Sequence, residues 1–186
     1  MGKSDDIIVE CAIAIISQGG YKKTTMADLA DAAGVSRQTL YNKFPNKEEV
    51  LRAAVRHAHA TGLAEMKRQW SEAESVGDKL EAFFQIGPLS WYDAIIASPD
   101  SADLIEGVNT HASDLMDEAN QGWMETLTEL FVPYGDVLGE KGTSADTLAD
   151  FVFATGVSAK YNATSRDQLV KRLATLKIAT LTLLEA

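Results

Sequence analysis

At 186 residues, with 46% hydrophobic and 24% charged side chains, the chain is long enough for one compact domain or two small ones and apolar enough to bury a core, which excludes a disordered chain. Its 17 basic and 27 acidic residues leave a net charge of −10, and the single cysteine, Cys11, can neither close an intramolecular disulfide nor build a thiolate zinc site. No apolar run reaches the roughly 18 residues of a membrane span, and the opening MGKSDDIIVECAIAII lacks the basic region and cleavage site of a secretory signal, so a cytoplasmic location is expected.

Apolar residues recur at helical spacing along the chain and no sustained alternation marks a strand, which predicts an all-α fold. The first helix is expected from about Lys3 to Gln18, burying Ile8, Cys11, Ala12, Ile15 and Ile16, and ending at Gly19-Gly20. Thr25-Met-Ala-Asp28 has the spacing of a capping box and opens a short second helix that stops at Gly34. Ser36 caps a third, Arg37 to about Phe44, which Pro45 terminates. Asn46-Lys-Glu-Glu49 then opens a long helix to roughly Trp70, with Val50, Leu51, Ala54, Val55 and Ala58 inward. Beyond Gly77, helical patterns near 78–97, 101–110, 113–132, 145–162 and 166–185 are separated by Ser98-Pro99-Asp100, Val132-Pro-Tyr-Gly135 and Gly139 to Thr143. Gly87-Pro88 should kink or split the first of these.

Charge is uneven along the chain. Residues 1–60 hold 8 basic and 7 acidic side chains, whereas residues 61–186 hold 9 and 20; residues 21–47 alone carry Lys22, Lys23, Arg37, Lys43 and Lys47 against Asp28 and Asp31. An anionic partner is expected to dock on that stretch. Residues 25–44, TMADLADAAGVSRQTLYNKF, have the composition of a helix-turn-helix. Ala30 and Ala33 let two helices cross closely, Gly34 takes the positive φ of the turn, where a side chain would cost about 1 kcal/mol or more, and Val35 and Leu40 plug the corner.

The exposed face of the second of these helices bears Arg37, Gln38, Thr39, Asn42 and Lys43, whose donors and acceptors suit base edges in a major groove, with Ser36 at its start. Thr25, at a helix N-terminus, suits a phosphate. Lys47 opposes the macrodipole of its own helix, which either a nearby phosphate explains or Glu48 and Glu49 offset around a solvated lysine. Tyr41 either packs its ring in the small domain or points its hydroxyl at the duplex backbone.

The segment GYKKTTMADLADAAGVSRQTLYNKFPNKEEVL, residues 20–51, resembles the DNA-binding segment of the TetR family of bacterial transcriptional regulators. The threonine before the second helix, the Ala-Gly-Val-Ser turn, the Thr-Leu-Tyr triplet, the phenylalanine two residues after Asn42 and the lysine opening the fourth helix carry the resemblance, which covers about the first 55 residues. Gln38 and Lys43 depart from the commonest family pattern, which bears on the operator sequence. The resemblance implies an N-terminal three-helix helix-turn-helix DNA-binding domain, residues 1–46, and a larger C-terminal helical bundle, residues 47–186, for ligand binding and dimerisation. It further implies a homodimer on a palindromic double-stranded operator, most simply a repressor that a small-molecule effector releases, with Thr25, Tyr41, Lys43 and Lys47 on phosphates. A helical ligand-carrier or protein-interaction module without DNA binding is the alternative reading.

One short helix reads only a few base pairs, so specificity independently requires two half-sites. The last two helices suit the dimer contact through Leu148, Phe151, Val152 and Thr155 on one and Leu169, Val170, Leu173, Leu176 and Leu183 on the other, unless these pack within the monomer. Trp91, Tyr92, Met116 and Trp123 are the candidate effector contacts among helices whose aromatic residues otherwise read as core. His111, Asp114 and Glu118 share a helix face but lie too far apart to hold a metal without a further ligand, and His57 and His59 point to different sides. No Walker-type loop, Gly-x-Ser-x-Gly elbow or His-Glu-x-x-His occurs, so no catalytic residue, cofactor or metal site is expected.

Overall fold

The structure, a computed structural model, describes residues 3–97, 101–161 and 163–185, and among these there is no strand. The α-helices are α1 (Lys3–Gly19), α2 (Met26–Ala32), α3 (Arg37–Lys43), α4 (Lys47–Glu72), α5 (Val76–Phe84), α6 (Ser90–Ala97), α7 (Ser101–His111), α8 (Ser113–Phe131), α9 (Gly135–Glu140), α10 (Ala145–Ser158) and α11 (Arg166–Leu184). The separator expected at Ser98-Pro99-Asp100 lies outside the described residues.

Local chemistry sets most boundaries. Gly20, at φ 83°, adopts the left-handed conformation past α1, where its N–H donates to Ile16 O at 2.9 Å. Thr25 and Asp28 form the full capping box of α2, and Ser36 accepts from Thr39 N at 3.0 Å to start α3. A second capping box, Ser75 with Asp78, starts α5. Gly87 and Pro88 fall in a π-helical stretch, Gln85–Leu89, that joins α5 to α6: the helix takes up the missing proline N–H by widening rather than by stopping. Two expectations change downstream. Val132–Tyr134 forms a 3-10 turn and leads straight into α9, whose Leu138 is fully buried, where the sequence pattern suggested two loops around a short gap.

The chain divides into two compact units, Met1–Thr61 with Ala94–Ala119, and Gly62–Asp93 with Asn120–Ala186. This partition follows packing, whereas the division at 46/47 follows the DNA-binding motif and belongs to the functional proposal. The first unit is built on Ile8, Ala12, Ile16, Leu29, Ala30, Leu40, Val50 and Val55, with Val108 of α7, Leu115 of α8 and Ala112 between them in the same core. Burying one such leucine contributes about 1.5–3 kcal/mol. The second unit packs α5, α8, α10 and α11 around Phe83, which meets Phe84, Trp123 and Phe153 at ring-centroid distances of 5.4, 5.9 and 6.3 Å. Gly156 passes this cluster so closely that an added Cβ would lie 3.3 Å from Phe83 Cε1. Leu148, Val152, Leu169, Leu173 and Leu176, read from sequence as partner-facing, are buried in this core instead. Their helices leave Phe151, Val170 and Ile178 outward, at 49%, 39% and 64% exposure. No helix among the described residues is long and apolar enough to cross a membrane.

Candidate nucleic-acid interface

The α2–α3 corner has the interior that its residue types demand. Leu29, Ala30 and Leu40 are buried, and Val35 packs on them. Gly34 turns the chain at φ 64°, with its N–H on Asp31 O at 3.2 Å and the next N–H, that of Val35, on Ala30 O at 3.0 Å. Leu40 pins α3 by one side, so its other sides project outward.

That outward face holds Ser36, Arg37, Gln38, Tyr41, Asn42 and Lys43 exposed and Thr39 partly so. Arg37 makes no hydrogen bond or ion pair among the described residues, and its charge helps hold the Asp28 carboxyl low. The larger causes of that shift are the hydrogen bonds from the Thr25 side chain and backbone, at 2.7 and 2.8 Å. Gln38 Nε2 donates to Asn42 Oδ1 at 2.8 Å, one turn away, and Ser36 and Thr39 share a hydroxyl hydrogen bond of the same length. Tyr41 is 49% exposed, so its ring is not part of the small domain's core. Lys43 pairs with Asp5 of α1 on the edge of this face.

Lys47 has a different geometry from either sequence reading. Its Nζ donates to the backbone carbonyls of Tyr21, Thr24 and Lys22 at 2.8, 2.9 and 3.3 Å, and lies 4.4 Å from the Tyr21 ring centroid. An ammonium has three hydrogens, and the carbonyls of Tyr21, Lys22 and Thr24 take all of them. Lys47 braces the 20–25 loop that delivers Thr25 to the start of α2.

The same loop is held from the other side by α7. Lys22 N donates to the buried Asp103 Oδ2 at 2.7 Å, and Lys22 Nζ pairs with Glu106 at 2.8 Å. The Tyr21 ring lies over Gly107, where an added Cβ would come within 2.9 Å of Cδ1, and is 5.5 Å from the His111 ring. Burial, then the charges of Glu48 and Asp103, push the Tyr21 hydroxyl's pKa up. Arg52 of α4 grips Asp114 with two bonds of 2.7 Å and reaches His111 O at 2.7 Å, which holds the Asp114 carboxyl down at about 2. The sequence reading missed this belt, because its partners lie about 60 to 90 residues apart; the acidic residues at 103, 106 and 114 had the right charge but no local pattern to connect them with Lys22 and Arg52.

The four candidate effector contacts divide between the two units, Met116 in the first and Trp91, Tyr92 and Trp123 in the second. Trp123 and Tyr92 are buried in the second unit's core, and Trp91 is partly buried with Lys160 Nζ 5.5 Å from its ring. Met116 belongs to the first unit, with its sulfur 3.2 Å from His59 Nε2. The second unit also has an open cleft of about 860 Å³, floored by Phe84, Leu89 and Leu173 and rimmed by Glu72, Asp78 and Lys177. Of the residues on the possible metal face, His111 faces Glu48 at 3.5 Å and Asp114 faces Arg52; no group of three His, Cys, Asp or Glu among the described residues converges on one point.

Residues 8–54 match the family profile described as bacterial regulatory proteins, tetR family. The chain is 24% identical over 163 residues to the HTH-type transcriptional repressor LfrR of Mycolicibacterium smegmatis, covering 80% of this chain and 85% of LfrR. With the HTH-type transcriptional regulator TtgR of Pseudomonas putida it shares 32% over 81 residues, spanning 42% of this chain and 39% of TtgR. In overall fold it is similar to the transcriptional regulator FadR of Bacillus subtilis, solved in complex with stearoyl-CoA, with a TM-score of 0.64, 20% identity and 96% of each chain covered.

Proposed function

We propose that this chain, a member of the TetR family of bacterial transcriptional regulators, binds a palindromic operator as a homodimer and leaves it when a small molecule binds. The observation that carries the reading is the α3 face: a polar, outward row on a helix whose opposite side is fixed by the fully buried Leu40. Arg37 and the Gln38–Asn42 pair read base edges, with Thr39 beside them. Thr25, Ser36, Tyr41 and Lys43 take phosphate contacts, Lys43 by exchanging Asp5 for the duplex.

The dimer forms through the exposed Phe151, Val170 and Ile178 on α10 and α11, which sets two α3 helices on half-sites a helical turn or a multiple of it apart. The effector binds in the second unit, where the cleft of about 860 Å³ has the size of a small-molecule site and an apolar floor. A preference of 1–3 kcal/mol for one spacing of the reading helices over another lowers operator affinity by about 5- to 150-fold. The protein acts in the cytoplasm and performs no catalysis.

The test is selection of binding sites from random duplex DNA with the purified chain. A palindrome with two half-sites is expected, and on that operator Arg37→Ala loses about 1–3 kcal/mol while random duplex binding changes little. Enrichment of no sequence, or equal losses on both DNAs, would sink the reading.

A further inference from the structure

Lys160, in the turn that follows α10, sits between two aromatic rings, with its Nζ 5.5 Å from the Trp91 centroid and 5.3 Å from that of Tyr161. Among the described residues it makes no ion pair or side-chain hydrogen bond. Charged side chains on adjoining residues are engaged elsewhere: Asp93, two residues after Trp91, accepts from Arg166 at 2.9 Å, and Arg172 of α11 donates to Ala159 O and Tyr161 O at 2.7 and 3.1 Å. Burial, with no charge acting beside it, pulls the Lys160 ammonium down to about 8. Rings attract a cation, but here they also exclude the water that a lysine charge needs.

We propose that Lys160 is a covalent modification site, an amine nucleophile that condenses with small apolar aldehydes whose carbon chain lies against Trp91 and Tyr161. The nitrogen lone pair attacks the carbonyl carbon, the C=O π pair moves to oxygen and is protonated, and the carbinolamine loses water to give the imine. Both hydrogens of that water come from the amine, so amine and aldehyde yield imine and water with no oxidant or reductant. The site is independent of the DNA-binding reading.

The test is reductive trapping on the intact chain with hexanal and cyanoborohydride, followed by peptide mass spectrometry, with the exposed Lys67 as internal reference. At pH 7 about one in ten amines of pKa 8 is neutral, against about one in 2,500 at the ordinary 10.4. Lys160 is therefore expected to label about tenfold faster than Lys67 or more, with a rate that levels above about pH 8. Tyr161→Ala, at a position already 60% exposed, keeps the fold and is expected to slow Lys160 several-fold by admitting water. Labelling no faster than Lys67, a rate still climbing past about pH 9, or indifference to Tyr161→Ala would each overturn the proposal.

Discussion

A cation in the first turn of a helix opposes the macrodipole by about 0.3–1 kcal/mol, and at Lys47 three carbonyl oxygens of the preceding loop more than offset this. Sequence reasoning identified the electrostatic anomaly correctly as needing negative charge nearby. It could not see that the partial charges of Tyr21, Lys22 and Thr24 carbonyls meet the need, since a backbone oxygen leaves no trace in residue type. The two roles separate in measurement. Lys47→Ala is expected to lower stability by about 1–3 kcal/mol in urea denaturation, because carbonyls of a tight loop lose their donor. The slope of log K against log[salt] for operator binding should stay as it was, whereas loss of a phosphate contact would reduce it by about 0.9. Thr25, Ser36 and Gly34 behaved otherwise: caps and a positive-φ turn act within three residues, and the sequence specified them fully.

At the scale of elements, α7 is tied to the DNA-binding helices by shape and charge together. Alanine at 107 would gain up to about 1 kcal/mol of helix propensity. Its Cβ, however, would meet Tyr21 at Cδ1, Cγ and Cβ, at 2.9, 3.1 and 3.4 Å, which is the root of the ring and cannot swing aside. Overpacking of that kind costs about 1–3 kcal/mol, so Gly107→Ala is expected to destabilise by about 1–2 kcal/mol net, read by the denaturation midpoint. Acid should loosen the same belt. The Arg52 guanidinium holds Asp114 at about 2, below the unfolded value, so the stabilisation is complete above about pH 4 and is lost as pH falls through about 2. Comparing Tm at pH 6 and about pH 2.5, the wild-type chain should fall further than Asp114→Asn, in which no carboxylate remains to be protonated. Helix periodicity revealed α1 to α4 and the later helices, but it gave no sign that α7 packs with the first unit. Such pairing depends on contacts distant along the chain, and α9, at six residues, is too short for periodicity to register.

For the whole molecule, the surface on which the proposed dimer depends is the one that α10 and α11 leave uncovered. Amphipathic pattern marked both helices as apolar, and five of the leucines and valines assigned to the partner turned inward because the second unit needed them for its own core. Of the assigned residues Phe151 and Val170 stay exposed, and Ile178, which the pattern had not assigned, joins them; with so few apolar contacts the proposed dimer should be sensitive to each. Replacing Phe151 and Ile178 together with glutamate is expected to give a species sedimenting at the monomer mass of 20.1 kDa. Its operator affinity should drop about a thousandfold or more, toward that for random duplex, since one α3 helix reads too few base pairs alone. A chain that stayed dimeric would place the contact elsewhere. Charge follows the same division of labour: with 20 acidic against 9 basic side chains in residues 61–186, the larger part of the chain repels a duplex and leaves residues 21–47 as the favoured approach.

The hydrogen bond from Gln38 to Asn42 has a bearing on how such a protein changes its target over generations. Each amide orients the other, so on the proposed base-reading role an exchange at either position would also free its neighbour and disturb a contact that the exchanged residue never made. Drift to a new operator should then proceed by coupled replacements, with single intermediates worse on both the old and the new site, and descendants should inherit positions 38 and 42 as one two-letter word.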